Sequence, residues 1–311
     1  MRTAFLGTSD FAVTVLERLS SSDHRPVLVV TRPDRPRGRG RRIQPPPVAE
    51  SARELGIDLA QPASVNEPEA RERIAAAAPE VICICAFGGL IKEPLLSDHE
   101  MLNVHPSLLP RWRGAAPVER AIEAGDAQTG VSIMRPTAEL DAGPVCLQRG
   151  EPIHPDDDYG SLAPRLARLG GELLVEALDE RPAFQEQGSE GVTYADKIEP
   201  DDRFLNPALP PDRLERRVRA LTPHVGAFVT LPSGERLGVR RARAASDVEA
   251  PEPGRLEAPG ARLLYGASGG ALELLELQPA GGRPMDAAAW LRGHRASLGR
   301  SDEDGTIPGV G

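Results

Sequence analysis

An amide and an imidazole lie two residues apart in the segment Asn103-Val-His105-Pro106 of this chain. Both fall at the end of a short apolar run, Met101 to His105, that predicts a β-strand, and side chains two apart on a strand share one face. Pro106 offers no N–H to continue a ladder, so the strand ends at a sheet edge, where α/β proteins place their sites. Together the side chains of Asn103 and His105 could donate hydrogen bonds to an oxyanion on an attacked carbonyl, and one such donor contributes about 2.7–4 kcal/mol. Taken alone, such a pair is more often a loop cap beside an exposed His.

Asp141 is the candidate for a third group. It follows the predicted strand Gly130 to Met134, in a turn, where a carboxylate either caps the turn or acts on a substrate, and both roles stay open. If Asp141 lies beside His105, it would hold the charge state of the imidazole and accept a proton from an attacking amine, directly or through water. The chain carries no Ser-His-Asp nucleophile elbow and no His/Cys set with metal-ligand spacing. The pattern therefore favours acyl transfer by direct attack of a substrate amine.

Positive charge is concentrated in one segment of an otherwise acidic chain. Six arginines and a single carboxylate, Asp34, fall between Arg32 and Arg42, whereas the whole chain has a net charge of −9. The Pro, Gly and Arg content from Arg32 to Pro47 predicts a loop. A solvated loop is one interpretation. We favour RNA binding, because charge concentrated beside a strand end attracts phosphates and prolines reduce the entropy lost on binding.

The order of apolar segments predicts two domains. Up to about residue 181, strand-like and helix-like patterns alternate, which predicts a doubly wound α/β sheet. The apolar runs Thr3 to Gly7 and Val81 to Ala86 predict buried strands, and Tyr159 to Leu178 predicts a long helix with an apolar stripe of Leu162, Leu166, Leu169 and Leu173. Beyond it, short strand-like pieces separated by Pro and Gly turns predict a small β-barrel or β-sandwich. We expect a catalytic domain over 1–184, a polar linker over 185–211, a β-domain over 212–300 and a flexible tail over 301–311.

The second predicted domain carries its own set of arginines. They are Arg213, Arg216, Arg217, Arg219, Arg236, Arg240, Arg241 and Arg243. A β-barrel that grips a nucleic-acid backbone would use such residues. Surface ion pairs with Glu215 and Glu235 explain them equally well, so the two interpretations stay open.

Composition excludes several classes of protein. Hydrophobic residues make up 40% of the chain and charged residues 27%, which is ordinary globular usage and excludes bulk disorder. No apolar window approaches the length of a membrane span, and the first residues lack a signal-peptide pattern. Cys83, Cys85 and Cys146 have neither a disulfide framework nor zinc-knuckle spacing. We therefore expect reduced thiols, no metal and a cytoplasmic protein.

Several motifs together resemble the methionyl-tRNA formyltransferase family. They are Gly7-Thr-Ser-Asp-Phe11-Ala, Thr31-Arg-Pro-Asp-Arg-Pro36 with Gly38-Arg-Gly40, Asn103-Val-His105-Pro-Ser-Leu-Leu-Pro-Arg-Trp-Arg-Gly-Ala-Ala-Pro117, Thr129-Gly-Val-Ser-Ile-Met134, Leu140-Asp-Ala-Gly143, Thr193-Tyr-Ala-Asp-Lys-Ile198, Arg219-Ala-Leu-Thr-Pro223 and Leu277-Gln-Pro-Ala280. The resemblance covers nearly the whole chain. It implies a Rossmann-like formyltransferase domain followed by a small OB-like β-barrel, in agreement with the split predicted above.

The resemblance also implies a reaction and its residues. The formyl group of 10-formyltetrahydrofolate, the co-substrate, would pass to the α-amine of methionine on initiator tRNA, with no metal. The family's catalytic Asn, His and Asp correspond to Asn103, His105 and Asp141. The residues that correspond to its folate-contacting motif are Ser107, Leu108, Leu109 and Pro110.

For tRNA, the resemblance points to the arginine-rich segment. In the family this loop approaches the tRNA acceptor arm, and its Gly-Arg-Gly arginine corresponds to Arg39. The expected tRNA-binding residues are Arg35, Arg37, Arg39, Arg41 and Arg42. We expect a monomer, because no exposed apolar helix stripe is evident.

Three rival functions remain at this stage. A formyltransferase of the same fold that acts on glycinamide ribonucleotide or an amino-sugar nucleotide would share the catalytic residues, but it needs neither the basic loop nor the second domain. A folate-dependent hydrolase would carry a different second domain. A non-catalytic RNA-binding protein on an enzyme scaffold is disfavoured by the intact Asn103, His105 and Asp141.

Overall fold

The computed structural model describes residues 1–37, 40 and 42–298, and the chain divides into two compact units. The first unit comprises Met1–Val118, Ala127–His154 and Ser161–Lys197. The second comprises Glu119–Asp126, Pro155–Gly160 and the chain from Ile198 onward. The predicted tail over 301–311 lies outside the described residues, and the predicted domain boundaries stay a prediction.

The chain up to residue 197 forms eleven strands and six helices within the described ranges. The strands are β1 (Thr3–Gly7), β2 (Pro26–Val30), β3 (Arg35–Arg37), β4 (Arg42–Gln44), β5 (Asp58–Ala60), β6 (Val81–Cys85), β7 (Met101–His105), β8 (Arg113–Gly114), β9 (Gln128–Met134), β10 (Val145–Pro152) and β11 (Tyr194–Ala195). The helices are α1 (Asp10–Ser20), α2 (Pro47–Glu54), α3 (Pro68–Ala77), α4 (Leu95–Asp98), α5 (Pro117–Ala124) and α6 (Tyr159–Glu180).

Seven of these strands form one mixed sheet in the order β10-β9-β7-β6-β1-β2-β5. The five strands from β7 to β5 run parallel, and β9 pairs antiparallel with both β7 and β10. The predicted Rossmann-like α/β core is therefore confirmed, with an antiparallel extension at one edge. This extension places β9 directly beside β7, the strand that carries Asn103 and His105.

The core of the first unit explains why β7 is held firmly. Every residue of β1 and β6 is buried, as expected for central strands covered on both faces. The predicted apolar stripe of α6 is buried as well, including Leu162, Leu166 and Leu173. A Cβ atom at Gly170 of α6 would lie 2.7 Å from Cγ1 of Val104 on β7, so the absence of a side chain lets the helix approach this strand.

The arginine-rich segment is not wholly a loop, so that prediction is wrong in part. Strands β3 and β4 pair antiparallel, with Arg35 opposite Gln44 and Arg37 opposite Arg42. Pro36 is compatible with this short two-stranded sheet because its fixed φ suits extended geometry at an edge. Sequence patterns did not reveal these strands because they are short and polar.

The second unit contains a six-stranded antiparallel sheet flanked by helices. Its further elements are a 3₁₀ helix (Pro200–Arg203), α7 (Pro211–Leu221), β12 (Ala227–Thr230), β13 (Arg236–Ala245), β14 (Leu256–Glu257), β15 (Leu263–Ala267), β16 (Gly270–Gln278), β17 (Met285–Asp286) and α8 (Ala287–Leu298). The sheet order is β12-β13-β16-β15-β14, and β17 also pairs with β16. Its core includes Leu214, Val218, Tyr265 and Trp290. The OB-like barrel stays a prediction, because among the described residues no pairing joins β12 to β14.

Candidate active site

His105 is the most buried of the three predicted catalytic residues, with 4% of its surface exposed at the end of β7. Its Nε2 lies 2.8 Å from the carbonyl oxygen of Trp112. A carbonyl oxygen only accepts hydrogen bonds, so Nε2 carries the hydrogen and donates it. The Nδ1 atom is therefore the ring nitrogen that remains for acid-base chemistry.

Asp141 faces that nitrogen. The distance from Nδ1 of His105 to Oδ2 of Asp141 is 3.6 Å, and the Asp141 side chain is 16% exposed. This separation exceeds a direct hydrogen bond but keeps the carboxylate close enough to stabilise a protonated imidazole. The same Oδ2 accepts a hydrogen bond of 2.9 Å from the backbone N–H of Gly114. The structure thus brings together His105 and Asp141, although they lie in separate parts of the sequence.

The backbone at Asp141 adopts an uncommon conformation, with φ of +48°. Non-glycine residues rarely occupy this left-handed region, which costs roughly 1–3 kcal/mol and persists only where surrounding contacts enforce it. Residues 135–144 connect β9 to β10, so the strained turn stands at the end of the strand beside β7. The strain therefore coincides with the carboxylate that faces His105.

Asn103 lies on the same strand as His105, opposite Met134 of β9. Its Nδ2 is 3.6 Å from the sulfur of Met134, which is a weak acceptor. The amide is only partly buried, and its strong hydrogen-bonding capacity is not used by this contact. Asn103 is thus available to donate to a substrate oxygen.

The loop after β7 is held by its own side chains, including the predicted folate-binding residues. Ser107 is fully buried, and its hydroxyl donates to the carbonyl oxygen of Arg111 at 2.6 Å. Ser132 of β9 joins the loop to the sheet, because its hydroxyl donates to the carbonyl of Ser107 at 2.6 Å and accepts from the N–H of Leu109 at 3.1 Å. The Leu108 side chain packs so closely on Gly130 that a Cβ there would lie 2.6 Å from Cδ2. Much of this motif therefore stabilises the loop.

A cavity of about 270 Å³ adjoins the end of that loop. Leu109 and Pro110 line it together with Leu147 and Gln148 of β10. Gln148 also donates to the carbonyl of Leu109 at 2.8 Å, which connects the loop to the edge strand. Leu109 and Pro110 thus border a ligand-sized cavity, whereas the side chains of Ser107 and Leu108 make their contacts with other parts of the protein. Their folate contacts stay a prediction.

Sequence reasoning missed two residues beside Asp141. Arg113, which is buried, and Gln187, which is partly buried, form a hydrogen-bonded pair that reaches the backbone of the Asp141 turn. Arg113 belongs to the Arg-Trp-Arg-Gly part of the motif after β7 and could have been singled out there. Gln187 lies in a polar stretch that offers no pattern, and only the tertiary structure reveals its position.

The predicted tRNA-binding arginines are described only in part. Arg35 and Arg42 are exposed on β3 and β4. Arg39 and Arg41 lie outside the described residues, as does the side chain of Arg37. Their contacts with RNA stay a prediction.

Many arginines of the second unit have acceptors within the protein. Arg216, Arg217 and Arg243 form ion pairs with Asp212, Glu123 and Glu273, respectively. Arg219 donates to the carbonyl of Asp157 at 2.7 Å, and Arg240 donates to that of Pro223 at 2.6 Å. Among the described residues, Arg213, Arg236 and Arg241 are exposed and have no ion pair. Five of the eight arginines thus bind acceptors within the protein, three of them in ion pairs, and the ion-pair partners are not the predicted Glu215 and Glu235.

Within the described ranges, no group of three or more His, Cys, Asp or Glu side chains could hold a metal ion. No helix in the same part of the chain is both long and apolar enough to cross a bilayer.

The families and relatives that this chain is similar to are formyl transferases. Residues 1–178 match the formyl transferase family, and residues 197–295 match the formyl transferase C-terminal domain. A methionyl-tRNA formyltransferase from Halorhodospira halophila (strain DSM 244 / SL1) is 45% identical over 302 residues, which cover 94% of this chain and 96% of that protein. One from Methylococcus capsulatus (strain ATCC 33009 / NCIMB 11132 / Bath) is 43% identical over 300 residues, which cover 94% and 97%.

A solved structure adds a similarity of fold alone. The crystal structure of HypX from Aquifex aeolicus in complex with tetrahydrofolic acid superposes with a TM-score of 0.63 at 19% identity. The match covers 94% of this chain and 47% of that one, so this chain spans about half the length of HypX. The two family matches and the two relatives, by contrast, show that the chain belongs to the methionyl-tRNA formyltransferase family.

Proposed function

We propose that the chain transfers the formyl group of 10-formyltetrahydrofolate to the α-amine of methionyl initiator tRNA. The observation that carries the proposal is the pair formed by Nδ1 of His105 and Oδ2 of Asp141, 3.6 Å apart, with Asn103 on the same strand as His105. Those three groups suit attack of an amine on an activated formyl carbon. The methionyl-tRNA formyltransferases that share more than 40% of their residues with this chain support the choice of substrate.

In the proposed reaction, the neutral amine nitrogen attacks the formyl carbon and forms a new C–N bond. Negative charge develops on the formyl oxygen, and the amide of Asn103 donates a hydrogen bond to it. His105 stabilises the same oxygen through Nδ1, because its Nε2 hydrogen is already donated to Trp112. For this role Nδ1 must carry a hydrogen as well, and the negative charge of the Asp141 carboxylate offsets the positive charge of the resulting imidazolium. When the bond from the formyl carbon to N10 of the folate breaks, the proton lost by the amine passes to N10, and tetrahydrofolate leaves.

For the folate, we assign a site at the loop formed by Ser107, Leu108, Leu109 and Pro110, in which Leu109 and Pro110 contact the ligand. The cavity beside Leu109 and Pro110 supports this assignment. Since the hydroxyl of Ser107 is used within the loop, its part in folate binding is to shape the loop. No metal takes part in the proposed reaction.

A second cavity, of about 230 Å³, fits the anionic end of the folate. Arg32, Lys92, Phe87 and Leu90 are among the residues that line it, and no acidic side chain does. Two cations beside apolar side chains suit a glutamyl carboxylate that follows an aromatic ring. We expect Lys92→Ala to raise the KM for 10-formyltetrahydrofolate by about 2- to 5-fold without changing the KM for tRNA. An unchanged folate KM would remove this cavity from the proposal.

For tRNA, we propose that Arg35, Arg37, Arg39, Arg41 and Arg42 contact the acceptor arm. The exposure of Arg35 and Arg42 supports this role. We further propose that the second unit is an OB-like tRNA-binding domain and that the protein acts as a monomer in the cytoplasm.

Formylation of defined tRNAs tests the proposal. The purified protein is mixed with 10-formyltetrahydrofolate and methionyl initiator tRNA, with methionyl elongator tRNA as the substrate control. We expect N-formylmethionine on the initiator alone, and a large loss of this activity in His105→Ala but not in the matched variant His99→Ala. Formylation of glycinamide ribonucleotide or an amino-sugar nucleotide in place of tRNA would overturn the proposal.

A further inference from the structure

We propose that Gln187 and Arg113 are positioning residues that hold the carboxylate of Asp141 beside His105. The inference rests on the proposed function, because it assigns a catalytic role to Asp141. Neither residue contacts the reacting groups of Asp141 or His105 directly. They act on the backbone of the turn from which the Asp141 side chain projects.

Gln187 binds that turn at two points. Its Nε2 donates to the carbonyl oxygen of Asp141 at 2.7 Å and to that of Gly143 at 2.8 Å. An amide nitrogen has two hydrogens, so both are used. A single side chain therefore fixes the carbonyl directions on either side of Ala142.

Arg113 fixes the orientation of the Gln187 amide. Its Nε and Nη2 donate to Oε1 of Gln187 at 3.0 and 2.9 Å. A guanidinium has no acceptor, so only the oxygen of the amide can face it and the nitrogen must face the turn. The Arg113 side chain is 9% exposed, and its Nη1 also lies 3.7 Å from Glu139, at the start of the same turn. The pair is thus a partly buried clamp with a single orientation of the Gln187 amide.

The turn needs such a clamp because of its conformation. A φ of +48° at Asp141 is unfavourable for a residue with a side chain, and surrounding contacts must enforce it. Without the two hydrogen bonds from Gln187, the backbone would relax and turn the carboxylate away from Gly114 and His105. A carboxylate misplaced by about 1 Å costs up to about 100-fold in rate.

Three variants separate the parts of the clamp. Gln187→Ala removes it, and Gln187→Glu keeps the acceptor for Arg113 but loses both donors to the turn. Arg113→Lys keeps the charge but not the fork that orients the amide. Gln128→Ala is the matched control, because Gln128 is exposed at the start of β9.

The kinetic test is formylation of methionyl initiator tRNA under steady-state conditions. Gln187 also lines the cavity beside Leu109 and Pro110 that is assigned to folate, so the KM for tRNA is the one that should stay constant. We expect both Gln187 variants to lower kcat by about 10- to 100-fold with the KM for tRNA unchanged, and Arg113→Lys to give a smaller loss. In an Asp141→Asn background, Gln187→Ala should lower kcat no further, since the group that it positions is already altered. Wild-type kcat in Gln187→Glu, or a raised KM with normal kcat, would overturn the proposal.

Amide hydrogen exchange gives a readout that does not depend on the substrate. The N–H of Gly114 donates to the Asp141 carboxylate, whereas those of Ala115 and Ala116 donate to the carbonyl of Ala195. In Gln187→Ala we expect faster exchange at Gly114 and unchanged exchange at Ala115 and Ala116. Uniformly faster exchange would mean a general structural role and would overturn the proposal. If the wild-type protein formylates no tRNA, the proposed function fails, and the Gly114 exchange still decides whether Gln187 holds Asp141.

Discussion

Two clusters of charged side chains, one in each unit, differ in how completely their hydrogen bonds are used. In the second unit, Glu123 of α5 accepts from Nη1 of Arg120 at 2.9 Å and from Nε of Arg217 at 2.8 Å. Its backbone carbonyl accepts from Arg216 as well, at 3.1 Å, and Arg120 continues to Asp202 at 2.9 Å. Each of these charged groups has its partner within the protein.

The cluster of the first unit is less complete. His105 and Asp141 are 3.6 Å apart, and within the described residues the one hydrogen bond found for the Asp141 carboxylate comes from Gly114. Asn103 reaches only a sulfur atom. Polar groups that are shielded from water and have unused hydrogen-bonding capacity are costly to the fold, so the presence of these partly or fully buried groups indicates a site for a substrate. A high density of charged side chains is therefore not in itself a sign of function, as the cluster around Glu123 shows. Unused hydrogen-bonding capacity, as in the cluster of Asn103, His105 and Asp141, is the better indicator of a functional site.

The largest expected effect is on the incomplete cluster. Asp141→Asn keeps the shape of the side chain and an acceptor for Gly114 but removes the negative charge that faces Nδ1 of His105. We expect kcat to fall by about 10²- to 10⁴-fold while the melting temperature changes little. Steady-state formylation and thermal unfolding measure the two effects, with the exposed Asp98→Asn as control. A kcat near wild type would place Asp141 with the structural charges instead.

The complete cluster should show the opposite behaviour. Glu123→Ala leaves two cationic side chains, Arg120 and Arg217, without their shared carboxylate in a largely buried setting. We expect the free energy of unfolding to fall by about 3–5 kcal/mol, with kcat of the folded enzyme close to wild type. Urea unfolding measures the loss, and the exposed Glu235→Ala serves as control. If kcat falls and stability does not, the distinction between the clusters is lost.

The same contrast applies to arginines, with a smaller effect. Arg35 and Arg42 are exposed on the antiparallel pair of β3 and β4, here called the hairpin. Most of the predicted arginine set of the second unit instead binds acceptors within the protein. The double variant Arg35→Ala, Arg42→Ala should raise the KM for tRNA about tenfold, leave kcat unchanged and reduce the dependence of binding on salt. Arg168→Ala, on the exposed face of α6, should change none of these. An equal effect of Arg168→Ala would mean that general surface charge, and not the hairpin, attracts tRNA.

The smallest effect concerns the rim of the complete cluster. Burial raises the pKa of Asp202, but the N–H of Glu199 and the Arg120 guanidinium outweigh it and hold that pKa below its ordinary value. A lowered pKa in the folded state stabilises the protein above the unfolded pKa, and this contribution is lost as the pH falls through the folded value. Asp202→Asn should therefore cost under about 1 kcal/mol at pH 7 and nothing at a pH well below 4. Urea unfolding at both pH values measures the difference, and an equal cost at both would show that charge is not involved.

Local patterns predicted the elements whose burial is visible in the sequence. The continuous apolar runs of β1 and β6 and the leucine stripe of α6 correspond closely to the observed elements. Strand β10 was missed because its residues are partly exposed and several are polar, which leaves no clear alternation. Helix α7 was missed because arginines and acids surround its short apolar stripe. Sequence patterns reveal an element through its buried apolar face, so strands and helices that are partly exposed are hard to predict from them.

The family, the reaction that the family implies and the three candidate catalytic residues could all be predicted from the sequence, because they depend on residue types at short spacing along the chain. The proximity of His105 and Asp141 is visible only in the folded chain, because 35 residues that include β8 and β9 separate them and their distance depends on how β7 and β9 pair. The folded structure reveals this contact. It also decided which arginines are paired within the protein and that Gln187 reaches the Asp141 turn. These contacts arise from packing between distant segments, and no local pattern encodes them.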